Sequence, residues 1–284
     1  LESPWAARID TRGLVVGYVQ SGKTANFTAV IAKAADAGYR FFIVLSGTKK
    51  SLRAQTQQRL ERELVRLNDD IWFTPTTNHD FKPMGNANFF LSNKKHDKVL
   101  CVVKKNSTIL RKLITWLRSA DDQSLRACPF LIIDDEADEA SVNTARNQTN
   151  FAGDEPPRTA INRHVVDLLN LLPKAAYVGY TATPFANVLI DPLLQDLYPR
   201  DFIVALPKPD GHFGTERIFG RERLLDDDTE EEFQGFDMIR IVPQDELLRL
   251  RPRYGQHHDF QPEMTQSLAS AVNYFWLASA ARVA

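Results

Sequence analysis

The segment 17–24, GYVQSGKT, carries side chains suited to holding phosphate groups, because it fits the pattern G-x-x-x-x-G-K-[ST]. Glycines allow a tight turn in which backbone N–H groups converge on phosphate oxygens, and the start of the following helix adds partial positive charge. We expect Lys23 to reach the β- and γ-phosphates of ATP and the Thr24 hydroxyl to ligate Mg²⁺. The alternative is a strand-to-helix turn that carries Lys-Thr by coincidence. The predicted nucleotide-binding residues are Gly17, Gln20, Ser21, Gly22, Lys23 and Thr24.

A run of acids ends the apolar segment with the sequence LIIDDEAD. A magnesium–nucleotide site needs one carboxylate to hold the metal and another to orient and activate the attacking water. We assign the metal role, through water, to Asp135 together with Thr24, and the base role to Glu136; with Lys23 these acids are the predicted catalytic residues. Asp134 keeps two interpretations, support of the metal shell or a bond to neighbouring backbone. A solvated loop start is the alternative for the whole acidic run.

These segments need a scaffold, and the first two thirds of the chain alternate between short apolar runs and helical stretches. Apolar runs separated by helices indicate an α/β fold with a mostly parallel sheet, covered by helices on both faces. Ligands of such sheets bind at the carboxyl ends of the strands, where both candidate segments fall. The predicted strands are 13–19, 40–45, 99–103, 130–134 and 175–180. The predicted helices are 23–37, 49–67, 107–117, 161–172 and 264–284.

The character of the chain changes after residue 206. Glycines, prolines and an acidic run at 226–232 predict an irregular excursion in which the acids form a solvated loop. The last stretch predicts a closing helix with a broad apolar face. We therefore expect an ATP-binding lobe at 1–206, the irregular, partly acidic excursion at 207–262, and a connecting helix at 263–284.

Composition restricts the class of protein. The chain of 284 residues is 43% hydrophobic and 25% charged, with a net charge of -1, which is typical of a globular protein and excludes one that is polybasic throughout. Any nucleic-acid surface must therefore be a local patch. The two cysteines lie in or beside apolar runs and predict core thiols in a reducing cytoplasm. No apolar run reaches about 18 residues, so no membrane span is expected.

A third segment, YTATP, closes another apolar run. It is a weak signal alone, but the order GxxxxGKT, DEAD, TATP resembles motifs I, II and III of superfamily 2 helicases and translocases. The resemblance covers about 13–185 and implies a RecA-like P-loop lobe that hydrolyses ATP. It also implies that Thr181 and Thr183 couple hydrolysis to a nucleic-acid surface through Asp138.

Further segments, VQSGKT, SGT, KKN and IIDDEAD, are similar to those of the Z-one domain family. That family comprises endonucleases of bacterial defence and restriction-type systems, and the resemblance implies Hsp90-like ATPase and nuclease modules as partners. Nuclease activity does not follow from these residues, because the sequence shows no convincing carboxylate–carboxylate–lysine set.

Two basic segments match the places where superfamily 2 lobes contact DNA. SGTKK ends the second predicted strand, with Arg53 and Gln55 on the following helix, and KKNS ends the third. Lysines and helix N-termini suit backbone phosphates, so we expect salt-sensitive, largely sequence-independent binding; solvated lysines are the alternative. Trp5 is interpreted as a packing residue or as a stacking partner of adenine. The predicted nucleic-acid contacts are Thr48, Lys49, Lys50, Lys104, Lys105 and Asn106.

A complete motor of this class has a second RecA-like lobe whose arginines stabilise the transition state, and the sequence shows neither. Because it also lacks an initial methionine, we expect the first lobe of a longer protein, which alone turns over slowly or not at all. The predicted function is Mg²⁺-dependent ATP hydrolysis that drives movement on DNA within a defence-type endonuclease. A nucleotide-gated scaffold without translocation and a nuclease are the alternatives.

Overall fold

The computed structural model describes residues 1–19, 21–92, 98–139, 141, 159–190, 196–220, 234–236, 239–252, 255, 258 and 260–283. They form two compact units, 1–212 and 213–284. Every strand that the structure describes lies in the first unit, and so do all the segments with candidate chemistry.

The first unit is built on one sheet of seven strands in which every pair of neighbours is parallel. The strands are β1 Ile9–Val16, β2 Phe41–Ser46, β3 Trp72–Phe73, β4 Lys98–Lys104, β5 Phe130–Asp135, β6 Lys174–Thr181 and β7 Phe202–Ala205. Their order across the sheet is β3-β4-β2-β5-β6-β1-β7. The strands that precede the phosphate-loop, TATP and acidic segments are therefore neighbours.

Helices cover both faces of this sheet. The helices within the described residues are α1 Lys23–Ala37, α2 Lys50–Glu63, α3 Ala87–Ser92, α4 Ser107–Leu117, α5 Asp122–Ala127, α6 Ala160–Leu171, α7 Phe185–Val188, α8 Thr215–Phe219, α9 Gln244–Leu250 and α10 Gln266–Val283, with a 3-10 turn at Val65–Leu67. Apolar side chains of α1 and α2 pack on one face, and those of α3, α4, α5 and α6 pack on the other. Alternation along β2 shows the reason: Phe41 and Ile43 point into one core, and Phe42 and Val44 into the other.

The predicted α/β fold, a RecA-like P-loop lobe with a parallel sheet between two helical layers, is confirmed. Within the described residues no helix is both long and apolar enough to cross a membrane. Cys101 and Cys128 are buried free thiols in the first core, as the apolar runs around them predict.

Element bounds differ from the sequence predictions in informative places. The first strand begins at Ile9 and ends at Val16, because its polar early residues pair with β6 while residue 17 already belongs to the loop. The short edge strands β3 and β7 were not predicted; each has at most four residues, too few for a period to show.

The second unit contains α8, α9 and α10. The segment predicted as irregular therefore carries two short helices, while its acidic run at 226–232 lies outside the described residues. The closing helix is present as α10, with the side chains of Phe275 and Trp276 each 67% exposed. The division at residues 206 and 262 stays a prediction.

Candidate nucleotide site

The ends of β1, β5 and β6 bring the three motif segments to one edge of the sheet. The Gly17 N–H donates to the Thr181 carbonyl over 3.0 Å, and the Ala137 N–H donates to the Tyr180 carbonyl over 2.9 Å. The Tyr180 hydroxyl also donates to Asn26 on α1 over 2.9 Å. The phosphate loop and the acidic turn are thus both fastened to the end of β6.

The phosphate loop closes on a glycine in the left-handed region, Gly22, whose φ of 84° would strain any residue with a Cβ. Helix α1 begins there with no side-chain cap and no acid in its first turn, which leaves its partial positive charge for an anion. The Lys23 ammonium donates to the Tyr18 carbonyl over 2.9 Å. The buried Ser21 hydroxyl oxygen has no hydrogen-bond partner within the described residues, and Gln20 lies outside them.

Asp135 ends β5 as a half-buried carboxylate facing the loop. Burial is the main cause that raises the pKa of this carboxyl, and the neighbouring charge of Asp134 raises it further. The positive charges of Lys105 and Lys23 oppose that rise. A carboxylate whose charge is only partly compensated is suited to accept a cation, the role predicted for Asp135.

Glu136 has a φ of 55°, and it is the one residue other than glycine with a positive φ among those described. Such backbone costs about 1–3 kcal/mol and persists only where neighbours hold it. Burial raises the pKa of Glu136, followed by a hydrogen bond with the carboxyl of Glu139 and the charge of Asp135. A Cβ at Gly47 would lie 2.8 Å from the Glu136 Oε2, so a glycine there lets the carboxyl approach the end of β2.

The predicted coupling residues are in direct contact. The Thr181 hydroxyl donates to Asp138 Oδ1 over 2.6 Å, and the Thr183 hydroxyl donates to Asp138 Oδ2. The Thr183 N–H in turn donates to the Thr181 hydroxyl over 2.9 Å. The acidic turn and the TATP segment therefore share one hydrogen-bond network, while the coupling role itself stays a prediction.

The prediction that Lys105 contacts nucleic acid is wrong, because its side chain is 0% exposed. Its ammonium lies 3.0 Å from Asp134 Oδ1 and donates to the carbonyls of Glu136 and Glu139 over 2.5 and 2.9 Å. Asp134 also accepts from the Tyr177 hydroxyl over 2.6 Å. The partners of Asp134 are thus two side chains and not neighbouring backbone, and support of the metal shell stays a prediction.

A cleft of about 830 Å³ lies among the phosphate loop, the acidic turn and α2. Its α2 wall was not assigned to the nucleotide site from sequence, although residues three and four apart on a helix share one face. Glu139, one residue beyond the acidic box, was also missed. Among the lining residues are Ser21, Gly22, Lys23, Thr24, Leu52, Gln55, Thr56, Arg59, Asp135, Glu136, Asp138, Glu139, Thr181 and Thr183.

Comparisons with known proteins find distant similarity to solved structures and no family. No protein-family model and no functionally curated protein matches the chain. Among solved structures it is similar to the Hef helicase domain of Pyrococcus furiosus, at 17% identity and a TM-score of 0.42 over 69% of this chain and 35% of that one. It is also similar to S. cerevisiae Dbp5, solved in a complex that includes ADP, at 16% identity and a TM-score of 0.40 over 69% and 44%.

A third similar structure is the helicase MrfA bound to DNA, at 15% identity and a TM-score of 0.36 over 69% of this chain and 25% of that one. The chain thus spans less than half the length of each of these proteins. At these identities and TM-scores the similarity carries no conclusion about function. The function is inferred below from the chain's own side chains.

The predicted nucleic-acid surface is smaller than the sequence indicates. Arg53 is buried, and its guanidinium donates to the carbonyls of Thr76 and Val102 over 2.8 and 3.3 Å. Its predicted role as a phosphate contact is therefore wrong, because Arg53, like Lys105, is buried. Both cations satisfy main-chain oxygens inside the lobe.

The other predicted contacts remain at the carboxyl edge of the sheet. Thr48, Lys49 and Lys50 are exposed, and the Thr48 hydroxyl lies 3.4 Å from a carboxylate oxygen of the acidic turn. Lys104 is half-buried at the end of β4, and Asn106 is exposed while its side chain caps α4. These five residues keep their predicted role as an expectation.

Trp5 does not lie where an adenine would reach it. A Cβ at Gly38, just past the end of α1, would be 3.4 Å from the Trp5 ring. The phosphate loop is at the other end of this 15-residue helix, roughly 20 Å away at about 1.5 Å per residue. The adenine-stacking hypothesis is therefore wrong. The packing interpretation is not supported either, because Trp5 is 82% exposed and only an edge of its ring lies near the α1 terminus.

Proposed function

We propose that this chain is the ATP-binding lobe of a superfamily 2 helicase-like motor that hydrolyses Mg·ATP and acts on DNA. One observation carries the proposal: a phosphate loop and an acidic turn, distant in sequence, are both hydrogen-bonded to the end of β6 and line one cleft. A P-loop ATPase requires this juxtaposition, because the phosphates and the metal must be held together.

The residues of the cleft fit a magnesium-bound triphosphate. The uncapped start of α1, the unpartnered Ser21 hydroxyl and the Lys23 ammonium form an anion-binding wall. Thr24 and Asp135 line the same cleft and would hold Mg²⁺, the latter through water. Among the described residues no group of three or more His, Cys, Asp and Glu is arranged to hold a metal.

Bound Mg²⁺ would neutralise charge on the phosphates and favour their reaction. Lys23 would exchange its bond to the Tyr18 carbonyl for phosphate oxygens. Glu136 would orient the attacking water and take its proton, a role suited to a carboxyl whose pKa is raised by burial.

Action on DNA is supported by charge at the strand ends. Lys49, Lys50 and Lys104 lie at the carboxyl edge beside the cleft, where flexible ammonium groups suit backbone phosphates. The network of Asp138 with Thr181 and Thr183 offers a connection from that edge to the acidic turn. We extend the proposal, on the Z-one resemblance alone, to a defence-type endonuclease assembly in the cytoplasm.

The two alternatives differ in what they require of the cleft. A nucleotide-gated scaffold would use the same site without DNA stimulation of turnover. A nuclease needs a lysine beside two carboxylates, and folding does bring Lys105 to Asp134, Asp135 and Glu136. That ammonium is fully buried, so it cannot touch a scissile phosphate, and we therefore rank nuclease activity last.

The proposal is tested with Lys23→Ala. Loss of one charged hydrogen-bond donor of about 1.5–3 kcal/mol predicts roughly 10–100-fold weaker binding of Mg·ATP in a calorimeter, and loss of ATP turnover. ATPase rates are measured on the full-length protein with and without single-stranded and duplex DNA.

Lys33→Ala is the matched control, because Lys33 is exposed on the same helix. It is expected to bind nucleotide as the wild type does. If the folded wild type takes up no Mg-nucleotide, or if Lys23→Ala binds it equally well, the proposed function is wrong; turnover that DNA leaves unchanged favours the scaffold.

A further inference from the structure

Lys105 is a buried cation beneath the acidic turn, outside the set of residues that face the cleft. It follows the end of β4, and its N–H donates to the Ser46 carbonyl at the end of β2 over 3.0 Å. Its side chain is 0% exposed. A buried lysine is rare unless it is paired, so its partners should show what it does.

The Lys105 ammonium donates two hydrogen bonds inside the protein and lies in one ion pair. The group carries three N–H bonds, and its neighbours are Asp134 Oδ1, the Glu136 carbonyl and the Glu139 carbonyl, at 3.0, 2.5 and 2.9 Å. Asp134 is itself fixed by the Tyr177 hydroxyl of β6. Because the ammonium is fully buried, it cannot contact a ligand from solvent, and Lys105 can act only through the groups it holds.

The carbonyl groups that Lys105 holds belong to the acidic turn that carries the predicted base, Glu136. Its two carbonyl partners belong to Glu136 and Glu139, and the Glu139 N–H donates to the Glu136 carbonyl over 2.9 Å. Glu136 is the residue with the left-handed φ of 55°. An ammonium on its carbonyl fixes the peptide that follows this unfavourable conformation, and with it the direction of the carboxyl.

We propose that Lys105 is a positioning residue for catalysis: it holds the acidic turn so that the Glu136 carboxyl faces the phosphate loop. The inference rests on the proposed ATPase function. The proposed role also explains why a buried ion pair is present at all. Buried ion pairs are weak sources of stability, and an apolar pair would pack there at a lower desolvation cost.

Electrostatics support the same role. The positive charge of Lys105 lowers the pKa of Asp135, of Glu136 and of Asp138, against the burial that raises each of them. It is thus a shared counter-charge for the acids of the turn. Removing it would disturb both the geometry and the charge of the site, and would leave the nucleotide-binding loop untouched.

The test compares Lys105→Met with the double variant Lys105→Met/Asp134→Asn. The single variant leaves Asp134 unpaired and can fail to fold, whereas the double variant removes both charges and keeps an acceptor for the Tyr177 hydroxyl. In the double variant we expect kcat for ATP to fall at least about tenfold, while KM and the affinity for a non-hydrolysable ATP analogue change less than about threefold. Recovery of wild-type kcat together with stability would show a merely structural role and overturn the proposal.

Hydrogen–deuterium exchange separates this proposal from the ATPase assignment, since it needs no turnover. In the double variant the amides of residues 137 and 139 should exchange at least about tenfold faster than in the wild type, with the amides of β2 unchanged. If the wild type hydrolyses no ATP, the proposed function fails, and exchange alone decides whether Lys105 holds the turn. Unchanged protection at residues 137 and 139 would refute that it does.

Discussion

At the residue scale, Asp138 is the acid of the cleft whose charge is best supported by its neighbours. Burial by itself raises the pKa of Asp138, but the hydrogen bonds from the Thr181 and Thr183 hydroxyls outweigh burial and lower it. A carboxyl whose pKa is lowered on folding contributes stability above its unfolded pKa, about 3.9. That contribution is lost as the pH falls through the lower, folded value.

Thr181→Val should therefore destabilise the protein in a pH-dependent manner. Loss of a hydrogen bond to a charged group predicts a free energy of unfolding about 1–2 kcal/mol lower at pH 7. The difference should persist at pH 5 and shrink below about pH 4, as Asp138 is protonated in both proteins. Urea unfolding at pH 7, 5 and 3.5 measures this.

Thr28→Val is the control for that series. The Thr28 hydroxyl donates to the Thr24 carbonyl over 2.7 Å, so its loss removes a hydrogen bond to a group that does not titrate. Its effect should be equal at all three pH values. A Thr181→Val effect equally independent of pH would contradict the account of Asp138.

At the element scale, helix α4 follows the end of β4 and packs in the helical layer that also contains α6. Its N-cap is Asn106, whose side-chain oxygen accepts from the N–H groups of Thr108 and Ile109 over 3.0 and 3.3 Å. The next residue, Ser107, lies 3.0 Å from His164 Nε2 on α6. Asn106 therefore caps a helix and also lies where a nucleic-acid contact is expected.

Two substitutions of Asn106 should separate those tasks. Asn106→Ala removes the cap and should lower the free energy of unfolding by about 0.5–2 kcal/mol. Asn106→Asp keeps an equally good cap, so stability should change by less than about 0.5 kcal/mol, but the added charge should weaken DNA affinity at low salt. Urea unfolding and DNA-binding titrations at two salt concentrations measure both effects.

Asp121→Ala is the matched control on a neighbouring helix. Asp121 caps α5 by accepting from the Ser124 N–H over 2.7 Å. Its loss should cost similar stability without altering DNA affinity relative to the wild type. Equal DNA affinity for Asn106→Asp and the wild type would remove Asn106 from the predicted nucleic-acid surface.

At the scale of the whole molecule, the apolar core belongs to the first unit. Every buried hydrophobic side chain among the described residues lies between Ile9 and Leu197. Both cysteines belong to this core; burial raises the pKa of the Cys128 thiol to about 12, and it also raises the pKa of Cys101. Their reaction with a thiol reagent therefore reports the opening of this core.

A chain shortened to residues 1–212 should consequently keep its cooperative unfolding. We expect the free energy of unfolding to change by less than about 1 kcal/mol, because no described apolar core residue is removed. Urea unfolding measures the stability, and labelling of the two thiols by an exchange reagent measures opening in both chains. Much faster thiol labelling of the shortened chain would show that the second unit stabilises the first.

The sequence by itself determined the phosphate loop, the acidic box and the elements that carry them. Helices α1 and α4 have the predicted bounds, because local signals mark them: a glycine ends α1, and an apolar stripe repeats along α4. The central strands were equally clear, since strands buried on both faces appear as continuous apolar runs. The meeting of the loop and the acids followed from the parallel sheet they imply.

Only the tertiary structure decided which charged side chains face a ligand and which serve the interior. Arg53 and Lys105 look like their exposed neighbours in the sequence, yet both end on carbonyl oxygens from residues 23 or more positions away. Edge strands β3 and β7 are likewise defined by the strands beside them. Local patterns cannot specify these features, because burial and hydrogen-bond partners depend on packing between segments distant in the chain.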